Sequence, residues 1–328
     1  PLSHRLFILM PYRHMSQIEN DHPTEFIDRV VGRLDFYENE LGSSSVLTRF
    51  RNATYKNYTD LTDGILRYVY NNPSGKLTDY TDVLDPVCLE TYKNTNIDIK
   101  DIKHTSLFET MKKYFGTTSK LNIGISLSGG VDSMVIMYLL KSLEIEHYIG
   151  KVYALHLEYT DSDNNHYSSK ETEFIGMYCS LLEVPLYVRT ITYTREKTDR
   201  VFYEEETKNV RFKTYEYLCK KHDIKGWCLG HHKGDVAENV MMNLCNGRSI
   251  LELKVMKKTM QTSNVFLYRP LLNHPKQDIF ELAHALSIPY VKDTTPDWSC
   301  RGVLRRKILN SLSYQYPSIL NTLDHIAE

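Results

Sequence analysis

The chain has 328 residues, which is enough for two domains or for one large domain with an extension. Hydrophobic residues make up 41% and charged residues 25%, and these values exclude a wholly disordered or fibrous protein. The net charge of −1 excludes a uniformly basic surface, so binding to nucleic acid would need a local basic patch.

The sequence carries no signal for a membrane or for disulfide bonding. No apolar run approaches the roughly 20 residues that a membrane-spanning helix needs. The six cysteines include no CxxC pair, and a chain of this length does not depend on disulfides for its core. We therefore expect reduced thiols, a cytoplasmic location, no membrane partner and no structural zinc or iron–sulfur site.

Residues 1–103 are interpreted as an N-terminal extension, because their hydrophobic periodicity is weak. Short helical patterns cover Glu25–Leu41 and Leu61–Tyr70, and Asn71–Gly75 is rich in turn residues. This region resembles no family, so the sequence predicts no function for it.

From Ser106 onward, apolar runs typical of buried strands alternate with helical patterns. The predicted strands are Leu121–Leu127, Val152–Leu157, Leu186–Ile191 and Lys225–Gly230. The predicted helices are Leu107–Phe115, Met134–Leu143, Ser169–Leu182, Val210–His222, Asp235–Leu244, 276–287 and 303–313. The alternation predicts an α/β fold with a parallel sheet. We divide the chain into the extension, an α/β domain over 104–300 and a basic helical tail over 301–328.

The sharpest signal is the sequence SGGVDS at residues 128–133, between the first predicted strand and the helix after it. Gly129 and Gly130 permit backbone angles that other residues avoid, and they let the main chain approach an anion closely. Successive backbone N–H groups and the positive end of the helix favour a phosphate there. The hydroxyls of Ser128 and Ser133 can also donate hydrogen bonds.

Asp132 is the acidic member of this loop. Its charge would repel a phosphate unless it bound a cation or faced away, so Asp132 is the candidate Mg²⁺ ligand. The loop is not a Walker motif, because no Gly-Lys-Ser/Thr sequence follows it, and it is not a dinucleotide-binding fingerprint.

The SGGVDS loop resembles the PP-loop of N-type ATP pyrophosphatases. Enzymes of that family cleave ATP between its α and β phosphates and place AMP on a carbonyl or amide oxygen, from which an amine, ammonia or sulfur donor displaces it. The resemblance implies a parallel-sheet fold like that of adenine-nucleotide α-hydrolases, with ATP and Mg²⁺ as cofactors. The residues that it implies for ATP binding in the loop are Ser128, Gly129, Gly130, Val131, Asp132 and Ser133.

Four further segments resemble the tRNA(Ile)-lysidine synthetase branch of this family. In the first, the second strand ends in Leu155-His156-Leu157, and Ser168 and Glu171 follow it. The resemblance implies that His156 belongs to the nucleotide site. Tyr159 replaces the family's second histidine.

The second segment is GHHKGDVAEN at residues 230–239, which resembles the family's Gly-His-His-x-Asp-Asp-x-x-Glu-Thr. Asp235 and Glu238 are three residues apart and share one helix face, an arrangement that suits a metal or an amine. Gly234 replaces the first aspartate of the family pattern, and Asn239 replaces its threonine.

The third segment consists of Arg248, which follows that helix, and of the later sequence Arg-Pro-Leu-Leu from Arg269, with Lys276 four residues beyond. The match to the family's Arg-Pro-Leu-Leu-x-x-x-Lys/Arg is complete. Arg269 can clamp a phosphate or a carboxylate through two parallel hydrogen bonds.

The fourth segment leads from Asp293 through Asp297 to the arginines of the tail, and it resembles the family's Asp-x-Ser/Thr-Asn…Arg-Asn-x-x-Arg. Pro296 and Gly302 replace its two asparagines. Arg301 and Arg305 are four residues apart, which places them on one helical face. With Arg306 and Lys307 they form the densest basic patch of the sequence, suited to tRNA phosphates.

The resemblance implies a ligase that adenylates the carbonyl oxygen of an anticodon cytidine and displaces AMP with lysine or another amine donor. Asp132 would neutralise pyrophosphate through Mg²⁺, His232 would contact phosphate or a developing oxyanion, and Asp235 and Glu238 would orient the amine. The residues expected to hold tRNA are Arg248, Arg301, Arg305 and Arg306. A homodimer is the default expectation for the assembly.

Two other functions stay open at this point. The chain could be a PP-loop ligase that forms an amide or amidine on a small molecule, as asparagine synthetases do. It could also be a nucleotide- or RNA-binding protein without activity, and the four replacements Tyr159, Gly234, Pro296 and Gly302 favour that interpretation. ATP consumption that depends on tRNA would separate these alternatives from the tRNA ligase.

Overall fold

The computed structural model describes most of the chain from residue 66 onward. The described residues are 66–69, 77–92, 100–116, 120–159, 165–191, 200–249, 253, 256–262, 264–293 and 300–327. The predicted helix Glu25–Leu41 and the turn at Asn71–Gly75 lie outside these residues.

A seven-stranded sheet forms the centre of the described fold. Its strands are β1 (Leu66–Val69), β2 (Asn122–Ser126), β3 (Val152–Tyr159), β4 (Leu186–Ile191), β5 (Ile224–Cys228), β6 (Thr259–Thr262) and β7 (Val265–Tyr268). The order across the sheet is β1-β4-β3-β2-β5-β7-β6. The five central strands are parallel and the two edge strands are antiparallel to their neighbours, so the predicted parallel α/β sheet is confirmed.

Helices connect the strands and cover both faces of the sheet. They are α1 (Pro86–Tyr92), α2 (Ser106–Phe115), α3 (Val131–Ile145), α4 (Asn165–Leu181), α5 (Arg200–His222), α6 (Lys233–Cys245) and α7 (Lys276–Ala285). Cys300–Val303, the π-helical Leu304–Leu309 and Asn310–Gln315 follow one another without a break, and we call them together α8; α9 is Ile319–Ala327. Short 3₁₀ helices cover Leu77–Tyr80 and Lys100–His104.

Two apolar clusters show which side of the sheet each helix covers. On one face, α3 is buried along most of its length and packs with strand residues such as Ile125 and Val188. On the other face, Tyr215 of α5 stacks on Trp227 of β5 at 4.6 Å between ring centroids. Because both faces are covered, the central strands contain near-continuous apolar runs, which is why the sequence revealed them.

The predicted helix over Leu61–Tyr70 is wrong for its second half, because residues 66–69 form strand β1. This strand hydrogen-bonds along β4 in antiparallel register, from Leu66 opposite Arg189 to Val69 opposite Leu186. Pairing satisfies the backbone groups that β4 would otherwise leave open at the sheet edge, and this tertiary contact outweighs local helical periodicity.

Other residues of the predicted extension belong to the same core as the α/β domain. Val83, Leu84, Cys88 and Ile102 are at most 1% exposed and lie in one apolar cluster with helices α2 and α3. Leu84 also forms an antiparallel bridge with Val291. The described part of residues 1–103 is therefore packed into the main fold.

Two further differences from the sequence prediction lie in the part of the chain after residue 258. The sequence prediction missed the hairpin of β6 and β7, two four-residue strands that are too short to show a clear period. The helix predicted over 303–313 is present but contains a π-helical stretch. Within the described residues, no helix combines the length and apolar character needed to cross a membrane.

Candidate functional site

The site lies at the point where the strand order changes direction, because the chain adds β3 and β4 on one side of β2 and then β5 on its other side. Strand β2 has β3 on one side and β5 on the other, and ligands of such sheets bind beyond the carboxyl ends of the strands at this switch point. The SGGVDS loop follows β2, and the segment 229–232 follows β5. The two approach closely, because a Cβ atom placed on Gly230 would lie 3.1 Å from both Asp132 Cβ and the backbone nitrogen of Ser133.

The loop has the geometry of a phosphate cradle. Gly129 has a φ angle of +82°, and a Cβ there would approach Val291 Cγ2 to 3.0 Å and Ile175 Cδ1 to 3.2 Å. Ser133 is 3% exposed, and its Oγ accepts a hydrogen bond from the Ser128 backbone at 3.2 Å and donates to Gly130 O at 2.9 Å. The N-cap of α3 is Gly130, which has no side chain to cap the helix, so the first N–H groups of α3 are directed towards the loop.

Asp132 is half-buried, and its two oxygens differ. Oδ2 forms an ion pair with Lys276 Nζ, which donates a hydrogen bond to it at 2.5 Å. Oδ1 is buried and has no hydrogen-bond partner within the described residues. A buried carboxylate oxygen without a donor fits a cation ligand. No cluster of three or more metal-binding side chains occurs among the described residues, but Mg²⁺ commonly takes one carboxylate together with substrate phosphates. Asp132 therefore fits the predicted magnesium role.

His156 lies on β3 beside the loop and is 4% exposed. Its Nδ1 donates to the carbonyl of Leu127 at 2.9 Å, so Nε2 is the acceptor nitrogen of the neutral ring. Burial lowers the pKa of His156, despite the raising effect of that hydrogen bond and of Glu158. The structure thus brings His156 to the loop as a neutral side chain.

Partly buried His231 and buried Arg269 form a pair beyond β5 and β7. Arg269 Nε donates to His231 Nδ1 at 2.9 Å, and its Nη1 donates to the carbonyl of Lys257 at 2.9 Å. Burial lowers the pKa of His231 to about 4; Asp235 opposes this change, and the charge of Arg269 adds to it. His231 is therefore an uncharged acceptor that holds Arg269 at the rim of the site.

His232 begins helix α6 as its N-cap. Its Nδ1 accepts from Gly234 N at 3.0 Å, and the Asp235 carboxylate accepts from His232 N at 2.9 Å, which completes a capping box. Burial lowers the pKa of His232, although Asp235 and Asp132 act in the opposite direction. A neutral ring with Nδ1 as acceptor carries its proton on Nε2, so His232 can donate a hydrogen bond but is a poor base.

Two carboxylates and two arginines form a compact cluster at the start of α6. Arg301 bridges Asp235 Oδ1 at 2.7 Å and Glu238 Oε2 at 3.1 Å, and Arg305 Nε donates to Glu238 Oε1 at 2.6 Å. The Asp235 and Glu238 side chains are 6% exposed, against 44% for Arg301 and 35% for Arg305. Burial would raise the pKa of Asp235, but His232, Arg301 and His231 together lower it.

The structure places the remaining predicted residues outside this cluster. Arg306 lies 3.8 Å from Asp293 Oδ2 and is exposed. Arg248 is exposed beyond the C-terminus of α6. Helix α6 has 13 residues and is about 20 Å long at about 1.5 Å of rise per residue, and Arg248 follows the end of the helix that is remote from the site.

Sequence reasoning did not select two residues that the structure brings to this edge. Lys276 was noted only as the end of the Arg-Pro-Leu-Leu motif, yet it pairs with Asp132 across 144 residues. Arg211 of α5 donates to Tyr159 Oη at 3.3 Å at the end of β3, while its Nε is buried without a partner in the described part of the chain. Such a guanidinium suits an anion, but a single arginine in a helical pattern gives no signal of this.

Known proteins are similar to this chain over its α/β domain. The model of the PP-loop domain matches residues 103–312. A tRNA(Ile)-lysidine synthase of Chlamydia caviae is 30% identical over 186 residues, which are 56% of this chain and 56% of the relative. The corresponding protein of Chlamydia trachomatis serovar L2 is 31% identical over 195 residues, 58% of each chain. The chain thus matches little more than half the length of these relatives.

A solved structure shows the same fold. The U34-tRNA thiolase of Methanococcus maripaludis superposes with a TM-score of 0.51 at 18% identity, covering 67% of this chain and 77% of that one. The family model spans well over half of the chain, and the predicted resemblance to the lysidine synthetase branch is confirmed by the two relatives. The chain belongs to the PP-loop family.

Proposed function

We propose that the chain is an ATP-dependent ligase that modifies tRNA in the manner of lysidine synthetases. The carbonyl oxygen of an anticodon cytidine attacks the α phosphorus of ATP, and the bond to the β phosphate breaks, which releases pyrophosphate. The amine of lysine then attacks the former carbonyl carbon, the carbon–oxygen bond breaks, and AMP leaves with that oxygen.

One observation carries this proposal: a phosphate cradle and a pair of buried carboxylates meet at one edge of the sheet. The cradle faces the start of α3, and Asp132 Oδ1 beside it has no hydrogen-bond partner among the described residues. Asp235 and Glu238 begin the helix after β5, the strand next to β2. An anionic substrate and a cationic amine thus each have a complementary place.

The residues of the cradle bind and orient the nucleotide. The N–H groups around Gly130 and Val131 hold the leaving pyrophosphate, and Ser133 keeps the loop in shape through its hydrogen bonds to Ser128 and Gly130. Asp132 would hold Mg²⁺, and the bound ion would neutralise the charge on pyrophosphate. Lys276 lies beside Asp132 and adds a second positive charge.

The residues after β5 act on the amine and the developing charge. Asp235 and Glu238 orient the amine of lysine, and neutral His232 donates a hydrogen bond from Nε2 towards a phosphate or an oxyanion. The charges of Asp132 and Lys276 both act on His232, which supports its position between the two halves of the site. Arg269 and Arg211 contact anionic groups at the rim, and Arg301, Arg305, Arg306 and Arg248 contact tRNA phosphates.

The test is release of AMP and pyrophosphate from ATP by the full chain, with Mg²⁺, tRNA and lysine each omitted in turn. Release that needs all three supports the proposal. Release with tRNA but without lysine would replace lysine by another donor. Release with a small amide or acid in place of tRNA would favour a small-molecule ligase, and no release from protein that binds ATP would favour a binding protein without activity.

Substitution of Asp132 makes this assay specific for the site. We expect Asp132→Asn to lower the rate of pyrophosphate release about 100-fold or more, because the loss of one preorganised charge in a phosphate site has effects of this size. The matched control is Asp278→Asn, which removes the same charge from a partly exposed position on α7. An Asp132→Asn protein with unchanged rate and unchanged Mg²⁺ dependence would contradict the role of Asp132.

A further inference from the structure

Each oxygen of the two carboxylates that the proposed function assigns to the amine already accepts a hydrogen bond from the chain itself. Asp235 Oδ2 accepts from the His232 backbone, and Asp235 Oδ1 accepts from Arg301. Glu238 Oε1 accepts from Arg305, and Glu238 Oε2 accepts from both Arg301 and Arg305. An incoming ammonium would therefore meet two guanidinium charges at these oxygens, and like-charge repulsion opposes its binding until a guanidinium leaves.

The two halves of this cluster differ in their freedom to move. Asp235 is fixed by the capping box of α6, and both carboxylates are buried. Arg301 and Arg305 reach them from α8, and more than a third of each side chain is exposed to solvent. The arginines are therefore the members that can be withdrawn, and a phosphate in solvent is the kind of group that could withdraw them.

The helix that carries the arginines has a feature suited to two arrangements. Arg305 lies in the π-helical stretch Leu304–Leu309, where each turn holds more residues than in an α-helix. Conversion of this stretch to α-helix would change the rotation between successive residues, and with it the direction of the Arg305 side chain. This change would alter the alignment of Arg305 with Arg301, and both now contact Glu238.

We propose that Arg301 and Arg305 form a gate that keeps the amine site closed until RNA binds. This inference rests on the proposed function, since it assumes that Asp235 and Glu238 receive the amine. Phosphates of a bound RNA strand attract the two guanidinium groups, the carboxylates become available, and the amine enters. The gate prevents an amine from occupying the site before the RNA acceptor is bound.

The gate predicts that RNA changes the affinity for lysine and that lysine changes the affinity for RNA. If RNA binding frees the carboxylates, RNA raises the affinity for lysine, and lysine raises the affinity for RNA by the same factor. We expect a factor of about ten, within the range that coupling between two sites usually shows.

Equilibrium dialysis of labelled lysine against the full chain tests the gate, with an ATP analogue that cannot be cleaved between its α and β phosphates. For the wild type, addition of tRNA should lower the dissociation constant of lysine about tenfold. Arg301→Gln and Arg305→Gln should lower it by a similar factor without tRNA, because glutamine lacks the charge that occupies the carboxylates. The control, Lys113→Gln on α2, removes an exposed cation and should change nothing.

A further variant separates failure of the gate from failure of the proposed function. Glu238→Gln should weaken lysine binding in every condition, and thermal unfolding of each variant verifies that it folds. If Glu238→Gln weakens binding while tRNA and the arginine variants leave it unchanged, the gate is wrong and the amine site stands. If Glu238→Gln has no effect, or if lysine never binds, the amine site is wrong and the gate falls with it.

Discussion

Gly129 occupies a backbone position that only glycine adopts without strain. Its φ angle of +82° is unfavourable for other residues, and any Cβ would press against Val291 and Ile175. The residue also holds the loop through its carbonyl, which accepts from Val291 N at 3.0 Å. The loop shape therefore depends on a contact with a segment more than 150 residues away in sequence, which the motif alone does not reveal.

We expect Gly129→Ala to destabilise the fold by about 2 kcal/mol, and to weaken ATP binding, because backbone strain and a close contact act together. Urea unfolding and ATP titration measure the two effects. Gly247→Ala is the matched control, since Gly247 also has a positive φ of +73° but no atom of the described residues lies within 4 Å of its Cβ position. The Gly247→Ala protein should lose about 1 kcal/mol of stability from backbone strain alone and keep its affinity for ATP. Equal loss of ATP affinity in both variants would contradict this account of Gly129.

His231 makes stability depend on pH. Its pKa is about 4 in the folded protein, chiefly because it is buried, against about 6.5 in an unfolded chain. Between these values the unfolded state takes up a proton that the folded state excludes, so stability is present above about pH 6.5 and falls as the pH decreases. From pH 7 to pH 5 this group should remove about 2 kcal/mol.

The measurement is the free energy of unfolding in urea at both pH values for the wild type and for His231→Gln. Glutamine keeps an acceptor for Arg269 but does not titrate, so the variant should lose less stability at pH 5. His104→Gln changes an exposed histidine and should lose as much as the wild type. If His231→Gln and wild type respond equally to pH, then His231 does not carry the effect.

At the scale of elements, the sequence predicted the strands and helices around the loop well because they are regular and buried. Strand β2 and helix α3 have continuous apolar character, and their bounds differ from the prediction by at most three residues. Strand β1 was predicted as helix, because its pairing with β4 joins segments about 120 residues apart. The contact of Arg301 with Asp235 spans 66 residues and also has no local signature.

The segment around Leu84 links the N-terminal residues to the site. Leu84 is fully buried and bridges Val291, the residue that also supports Gly129. We expect Leu84→Ala to reduce the free energy of unfolding by about 3 kcal/mol, as cavities in packed cores do. Leu181→Ala, at a 42% exposed position on α4, should change it by less than about 0.5 kcal/mol. Urea unfolding compares the two, and similar small losses would show that the N-terminal segment is not part of the core.

In the molecule as a whole, buried side chains of the described residues between 77 and 102 belong to the same apolar core as the α/β domain. Deletion of residues 1–103 would therefore remove strand β1 and several fully buried side chains, and it should destabilise the remaining fold. The sequence indicated the family and the parallel sheet, because both depend on local motifs and periodicity. It did not indicate that the arginines of α8 neutralise the carboxylates of α6, because that arrangement depends on how distant segments pack.

The most direct test of the account follows the oxygen that leaves the cytidine. The full chain is given Mg²⁺, ATP, lysine and tRNA whose cytidine carbonyl carries a heavy-oxygen label, and the AMP formed is analysed by mass spectrometry. The account predicts one labelled oxygen in each AMP and attached lysine in equal amount in the tRNA. AMP that carries only solvent oxygen, with the label retained in the tRNA, would show that ATP is hydrolysed rather than used to activate the base, and would contradict the central claim.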